Sequence, residues 1–179
     1  MEYGYVCFAY TKNKWYDWCI AKLSRSKWSH SFFTCPPMLG NEMAMEACDG
    51  GVDVTMFDSS YRNNATQAYE VYRLKVPQAL KDASIANRMK ELETSYGILE
   101  YPWFIWRYIN ALFGRDIKSH NNWCQNGTIV CSQFLREYIA DCGLASLFVG
   151  FGKGSVAPQD IYNIVLARPD LFELVESKT

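Results

Sequence analysis

The chain has 179 residues, 49% of them hydrophobic and 21% charged, and its net charge is −1 at pH 7. This composition excludes an intrinsically disordered chain, because enough apolar residues are present to bury a sizeable core, and the length fits a single domain over residues 1–179. The balanced charge, without a cluster of Lys and Arg, argues against nucleic acid and acidic membrane surfaces as partners.

The cysteine and histidine content limits the chemistry further. The seven cysteines are odd in number, scattered and without a CxxC pair, which argues against a disulfide framework. Because His30 and His120 are the only histidines, we expect no zinc or other metal site and no cofactor. No signal peptide is visible, and the longest apolar segment, YPWFIWRYINALFG, is too short to cross a bilayer. We therefore expect a cytoplasmic protein without a transmembrane segment.

The first half of the chain is rich in patterns typical of short β-strands. Alternating runs with many β-branched and aromatic residues, bounded by turn residues, predict strands over residues 3–11, 29–35, 42–48, 52–57 and 68–75. Between the first two strands, the segment 14–26 carries apolar side chains at roughly helical spacing.

The second half is predicted to be mainly helical. Pro77 opens a helix with apolar residues at spacings of four, three and four, which are Ile85, Met89, Leu92 and Tyr96. Pro102 opens a second helix that is aromatic on all sides, which predicts that it is buried or lines a groove. A third helix begins at Cys131, a fourth covers residues 157–167, and LFELV (171–175) closes as a strand or extended tail. Strands first and helices after them predict an α+β fold, a small antiparallel sheet or barrel packed on helices.

The helix at Cys131 has an unusual first turn. Its apolar stripe, counted from Cys131 at i+3, i+4, i+7, i+8 and i+11, consists of Phe134, Leu135, Tyr138, Ile139 and Cys142. Cys131 lies in line with this stripe, and polar Ser132 and Gln133 follow it. One interpretation is a small core residue, since free cysteine is among the most buried side chains. The other is a nucleophile whose thiolate is stabilised by the helix N-terminus.

A nucleophilic cysteine requires a general base. His120 lies in the polar segment KSHNNW and is interpreted as a solvated surface residue. His30 lies at the start of an apolar strand, where it is either a general base on a rigid element or a hydrogen-bonded residue at the sheet margin.

The base in turn requires an orienting group, and Glu46 is the candidate. It lies among apolar residues, sixteen positions after His30, and the PPMLGN turn between them suits two adjacent antiparallel strands. A carboxylate in that setting is costly without a partner such as an imidazolium N–H, although Glu46 could instead face solvent. Asp49 and Asp53 are weaker candidates, because the Gly-Gly turn should expose the first and the second lies beyond it.

Five segments in order carry a family resemblance. SKWSHSFF, AMEACDGGVDV, YEVYRLK, VCSQFLREYIADCGL and APQDIY…PDLFELV together resemble the permuted papain-fold amidases of the YiiX-like group, within the NlpC-type superfamily. The resemblance covers essentially the whole chain and implies a circularly permuted papain-like fold. It also implies a cysteine peptidase or amidase, with Cys131 as nucleophile, His30 as general base and Glu46 as the polar third member.

The resemblance extends less firmly to the substrate. Tyr96 resembles a tyrosine that precedes an aspartate near the site in relatives, but Gly97 stands in the aspartate's place. The same tyrosine is equally well explained as the last core residue of the Pro77 helix. Trp103 and Trp106, just before the nucleophile helix in the chain, either fill the core or line an apolar groove for an acyl chain or a cell-wall peptide.

Three hypotheses about function follow. The first is a cysteine hydrolase that cleaves an amide bond, such as one in a bacterial cell-wall peptide, through an acyl-enzyme. The second is a lipid acyltransferase or thioesterase on the same fold, although the NCEHF setting of vertebrate relatives is missing. The third is a non-catalytic virion or assembly module that retains the fold. A phage-encoded protein would be associated with the virion or delivered to the cell envelope.

Overall fold

A computed structural model of the protein describes residues 2–11, 21, 26–48, 50–64, 67–92, 94–97, 101–115, 128–152 and 154–178. Most of the predicted helical segment 14–26, together with His120, lies outside the described residues. The helices are α1 (Gln78–Met89), α2 (Tyr101–Leu112), α3 (Cys131–Ile139) and α4 (Pro158–Ala167).

The strands are distributed over the whole chain. In chain order they are β1 (Val6–Thr11), β2 (His30–Met38), β3 (Asn41–Cys48), β4 (Gly51–Met56), β5 (Gln67–Leu74), β6 (Ser95–Tyr96), β7 (Thr128–Ile129) and β8 (Phe172–Lys178). Six of them form one antiparallel sheet in the order β4-β3-β2-β1-β5-β8, while β6 and β7 form a separate parallel pair. The prediction of an α+β fold with an antiparallel sheet is therefore confirmed.

Alternation along β2 gives the sheet two different faces. Phe33 and Cys35 belong to the main core, whereas Phe32 belongs to a second buried cluster. On the main-core face, the Phe33 ring stacks on Phe134 and Tyr138 of α3, with ring centroids 5.3 and 4.1 Å apart. These contacts hold α3 against the middle of the sheet.

The second cluster is completed by a single turn of π-helix at Asp58–Arg62, between β4 and β5. Phe57 and Tyr61 from this segment pack on Phe32, and both are nearly fully buried. The other buried apolar members come from β1, β3 and β5 and are Cys7, Ala9, Ala44, Tyr69 and Val71.

Helix α1 is shorter than its periodicity predicts. It ends at Met89, and the chain then turns through short backbone hydrogen bonds, from Glu91 N to Arg88 O and from Thr94 N to Glu91 O. The prediction that Tyr96 is the last core residue of this helix is wrong, because Tyr96 lies in β6. Met89 and Leu92 are 38% and 40% exposed, so these two members of the apolar pattern are not buried in the core, and a helix without a packed face is only marginally stable.

A buried ion pair connects helix α2 to helix α4. Both η-nitrogens of Arg107 donate to the Asp160 carboxylate of α4, at 2.7 and 3.1 Å, and Nη1 also donates to the Ser155 carbonyl at 2.6 Å. Asp160 Oδ2 additionally accepts the backbone N–H of Ala157 at 2.8 Å, which caps the start of α4. One carboxylate therefore ties α2, α4 and the segment before α4 together.

Of the two alternatives for α2, complete burial does not match the structure, because part of its surface is exposed. Trp103 and Arg107 are buried, but Trp106 is 48% and Ile109 43% exposed. Within the part of the chain that the structure describes, no helix has the length and apolar character needed to cross a membrane.

Candidate active site

The sheet brings His30 and Glu46 onto the same face. Because Phe33 pairs with Met45 across β2 and β3, the antiparallel register places Glu46 diagonal to His30, two residues along the same face. The distance between His30 Nε2 and Glu46 Oε2 is 2.7 Å. The interpretation of Glu46 as a solvent-facing residue does not match the structure, since it is only 6% exposed.

The Glu46 carboxylate is surrounded by hydrogen-bond donors. In addition to His30, Thr55 Oγ1 donates to Oε1 at 2.8 Å and the Tyr61 hydroxyl donates to Oε2 at 2.5 Å. Burial raises the pKa of this carboxyl group, but hydrogen bonds from His30, Tyr61 and Thr55 together with the charge of His30 outweigh it and lower the pKa below its ordinary value.

Cys131 is the first residue of α3 and is buried at 6% exposure. The preceding residue, Val130, has extended backbone angles and no side-chain cap bond, so the helix start presents backbone N–H groups rather than a capping side chain. Burial raises the pKa of the Cys131 thiol. Hydrogen bonding to His30, the positive charge of His30, the Ser31 backbone N–H and the Tyr96 hydroxyl together lower that pKa below its ordinary value.

The His30 imidazole lies between the thiol and the carboxylate. Burial lowers its pKa, but hydrogen bonds to Cys131 and Glu46 and the negative charges of both raise the pKa well above its ordinary value. Because Nε2 faces Glu46, Nδ1 is the ring nitrogen available to the thiol. These opposite shifts favour a thiolate–imidazolium pair backed by a carboxylate.

The two polar residues after Cys131 anchor the helix start. Ser132 Oγ donates to the Val156 carbonyl at 2.6 Å, and the Gly154 backbone N–H donates to Gln133 Oε1 at 3.3 Å. Both side chains are buried although they are polar. They hold residues 154–157 beside the thiol.

The three substrate-binding candidates occupy different positions. Tyr96 approaches the Cys131 thiol from β6, and Trp103 is 5% exposed in a small cluster with Val130 and Ala157, against which Tyr96 packs. Trp106 does not belong to that cluster, and its side chain is half exposed.

Sequence reasoning missed Thr55 and Tyr61. Thr55 lies in a predicted strand, two residues beyond Asp53, and its position in that strand does not indicate that its hydroxyl group binds Glu46. Tyr61 lies in the π-helical turn, which has no periodicity that could have predicted its buried hydroxyl.

The described residues hold no group of three or more His, Cys, Asp or Glu side chains that could bind a metal ion. His30 Nε2 lies 2.7 Å from Glu46 Oε2, so the carboxylate already occupies this nitrogen of the ring.

Comparisons with solved structures show a likeness of fold. No family model matches the sequence, and no curated protein matches it. The crystal structure of the metalloprotein YiiX from Escherichia coli O157:H7 matches with a TM-score of 0.64 at 14% sequence identity, over 99% of this chain and 97% of that chain. At this identity the likeness shows that the two proteins share a fold.

Proposed function

We propose that the protein is a cysteine hydrolase that cleaves an amide bond through an acyl-enzyme, with Cys131 as nucleophile, His30 as general base and acid, and Glu46 as the group that orients His30. The observation that carries this proposal is the position of His30, whose Nε2 lies 2.7 Å from Oε2 of the buried Glu46 and whose hydrogen bonding and charge lower the pKa of the Cys131 thiol. We also propose that the shared fold is a permuted papain-like one, because the histidine strand precedes the cysteine helix in the chain.

The proposed reaction has two steps. In the first, the Cys131 thiolate forms a bond to the substrate carbonyl carbon, His30 gives its proton to the amide nitrogen, and the carbon–nitrogen bond breaks to release an amine. In the second, a water molecule attacks the resulting thioester while His30 takes its proton, so that the acid leaves and the thiolate is restored.

Charge on the substrate oxygen requires stabilisation in both steps. The first N–H groups of a helix have no intrahelical partners and carry the positive end of the helix dipole. The N–H groups at the start of α3 therefore support an oxyanion site beside the thiol. The Tyr96 hydroxyl is already directed to the sulfur and is a further donor on the same side.

Reactivity of the cysteines toward iodoacetamide tests the nucleophile. Burial raises the pKa of both Cys35 and Cys142 to about 11, whereas the pKa of Cys131 is lowered. We expect Cys131 alone to be alkylated rapidly at pH 5 to 6 when all sites are followed by mass spectrometry from pH 5 to pH 9. Reaction of Cys131 no faster than the other two would contradict the proposal and favour a non-catalytic module.

The substrate class is tested next, with purified peptidoglycan as the first substrate. New amino termini released by the parent protein and not by Cys131→Ser would support cleavage of a peptide bond in the cell wall. The reaction is run under reducing conditions, because the thiolate is the reactive form.

Acyl transfer or thioester hydrolysis on a lipid is a second candidate, favoured by the exposed apolar side chains of α2. Trp106 and Ile109 on α2 and Phe113 just after it are 48%, 43% and 79% exposed. Large exposed apolar side chains close together are typical of surfaces that contact other molecules. Release of fatty acid from phospholipid vesicles, absent with Cys131→Ser, would favour this candidate over peptide cleavage.

YiiX is described as a metalloprotein, and the residues of this site do not suit a metal ion. Glu46 binds the far nitrogen of His30 and two hydroxyl groups, so its oxygens are directed away from the thiol. The proposed reaction therefore uses no metal ion.

A further inference from the structure

The Glu46 carboxylate is held by more than its histidine. Oε2 accepts hydrogen bonds from His30 and from the Tyr61 hydroxyl, and Oε1 accepts one from Thr55. A carboxylate has about four lone-pair sites, so these protein donors replace most of the water that an exposed carboxylate would bind. Two of them are neutral hydroxyl groups that come from outside the proposed Cys131–His30–Glu46 set.

Tyr61 is positioned by a stack of three aromatic rings. Its ring lies 4.2 Å from that of Phe32, nearly parallel at 17°, and the Phe32 ring lies 5.6 Å from that of His30 at 23°. Phe32 thus separates Tyr61 from His30, and the side chains on its two sides both reach the same oxygen of Glu46. This arrangement sets the position of Tyr61 and His30 relative to each other.

The turn that carries Tyr61 is fixed from outside. The guanidinium of Arg62 binds Glu42 of β3 at 2.8 Å and Glu176 of β8 at 2.7 Å, and it also binds Asp58 within the turn. Lys178 Nζ donates to the Arg62 carbonyl at 3.0 Å. π-Helical turns of this kind are frequent at functional sites, where they aim a side chain that a regular helix would direct elsewhere.

We infer that Tyr61, together with Thr55, is a positioning residue that keeps the Glu46 carboxylate ionised and directed at His30, an inference that rests on the proposed function. A buried carboxylate beside an imidazolium can take its proton, which would leave a neutral pair and remove the support for the Cys131 thiolate. Hydroxyl donors stabilise the ionised carboxylate and oppose this transfer. Neither hydroxyl touches the reacting atoms, so both act through Glu46.

The ionisable groups around Glu46 come from several elements. His30 and Thr55 face it from β2 and β4, and Tyr61 faces it from the π-helical turn. Four further ionisable groups lie nearby. Cys48 is on the same strand as Glu46, and Asp53 pairs with Glu46 across β3 and β4. The Cys7 thiol faces Tyr61, and the Cys131 thiol lies beyond His30. The substitutions below leave all four of these groups unchanged.

Tyr61→Phe tests the inference without a substrate, because it removes one oxygen and keeps the ring stack. We expect alkylation of Cys131 at pH 5 to slow by about tenfold, the size expected for one hydrogen bond to a charged group, and to approach the parent rate at pH 8. The matched control is Tyr69→Phe, which removes another buried hydroxyl of the same cluster, bound to Glu176 at 2.5 Å rather than to Glu46. The control should leave the pH dependence of alkylation unchanged.

A double-mutant cycle shows whether Tyr61 acts through Glu46. In a Glu46→Gln background, Tyr61→Phe should cause no further loss at pH 5. An equal loss in both backgrounds, or parent-like alkylation of Tyr61→Phe, would overturn the inference while a fast parent Cys131 still supports the proposed function. A parent Cys131 that is itself slow would overturn both. If Tyr61→Phe does not fold, Thr55→Val replaces it in the same cycle. We expect Thr55→Val to slow alkylation of Cys131 at pH 5 to the same extent.

Discussion

At the scale of single residues, burial and hydrogen bonding oppose each other at Cys131 and His30. Burial alone would keep both groups neutral, because a charged group loses its hydration when it leaves water. The thiol and the imidazole lie within reach of each other, and Glu46 lies behind the ring, so each charge has a partner. Ionisation of the Cys131 thiol is therefore favoured by its neighbours, against the effect of burial.

Replacement of His30 should return Cys131 to ordinary thiol behaviour. In His30→Ala we expect the thiol pKa to rise to about 8.5 or above, since the imidazolium is lost and the site remains buried. The rate of iodoacetamide alkylation against pH measures this value directly. His120→Ala serves as the control for loss of a histidine, and a parent-like titration of Cys131 in His30→Ala would remove His30 from the mechanism.

The lowered pKa of Glu46 predicts a pH-dependent contribution to stability. The pKa of a glutamate in an unfolded chain is ~4.3. The folded pKa of Glu46 is lower, so its ionised form contributes stability above about pH 4.3, and this contribution is lost as the pH falls through the folded pKa. Glu46→Gln should therefore lower the free energy of unfolding more at pH 6 than at pH 3, as measured with urea. Asp53→Asn, at an exposed position on the neighbouring strand, is the control. Equal losses at the two pH values would contradict the prediction.

At the scale of elements, the start of α3 and the start of α4 are connected through residues 154–157. Ser132 and Gln133 bind this segment from α3, and Asp160 caps α4 and binds Arg107 of α2. Three helices therefore meet beside the thiol. We expect the position of Trp103, which packs between them near Val130, to depend on the Arg107–Asp160 pair.

Removal of Asp160 should destabilise the protein strongly. In Asp160→Ala, the Arg107 guanidinium stays buried without its carboxylate and α4 loses its cap, so the free energy of unfolding should fall by about 3 kcal/mol. Asp170→Ala breaks the exposed pair with Arg168, which solvent screens, and should cost much less. Urea unfolding of both variants measures the difference, and similar values for the two would contradict a structural role for the buried pair.

At the scale of the whole molecule, the site exists because the helices pack on the sheet. His30 and Glu46 belong to strands, whereas Cys131 begins a helix about a hundred residues later in the chain. The contact between Phe33 and the rings of Phe134 and Tyr138 is a buried link between β2 and α3. Core packing therefore determines whether the thiol reaches the imidazole.

Truncation of Phe33 should affect both stability and the site. Phe33→Ala should lower the free energy of unfolding by about 3–5 kcal/mol, the usual cost of a large cavity in a core. It should also slow alkylation of Cys131 at pH 5, because α3 loses its main contact with β2. Phe113→Ala, which is 79% exposed, should change stability by no more than about 0.5 kcal/mol. Fast alkylation in a folded Phe33→Ala would show that α3 is positioned by other contacts.

Local patterns in the sequence were sufficient to predict most of the elements. Alternation predicted the strands of the sheet, and the apolar stripe after Cys131 predicted the buried face of α3, whose members from Phe134 to Cys142 are all buried. Periodicity failed beyond Met89, where the apolar pattern continues but the helix ends. It also left open whether Trp106 is buried, and the structure shows it 48% exposed. Burial depends on neighbouring elements, and a local pattern cannot specify them.

The sequence was sufficient to identify Cys131, His30 and Glu46 as candidates. Few histidines were present, and a carboxylate among apolar residues requires a partner. Only the tertiary structure decided the distances between them, the burial of Glu46 and the presence of Thr55 and Tyr61 at its oxygens. The physical reason is that hydrogen bonds act over about 3 Å in space, whereas these groups are separated by many residues and are brought together only by the sheet register and by the π-helical turn.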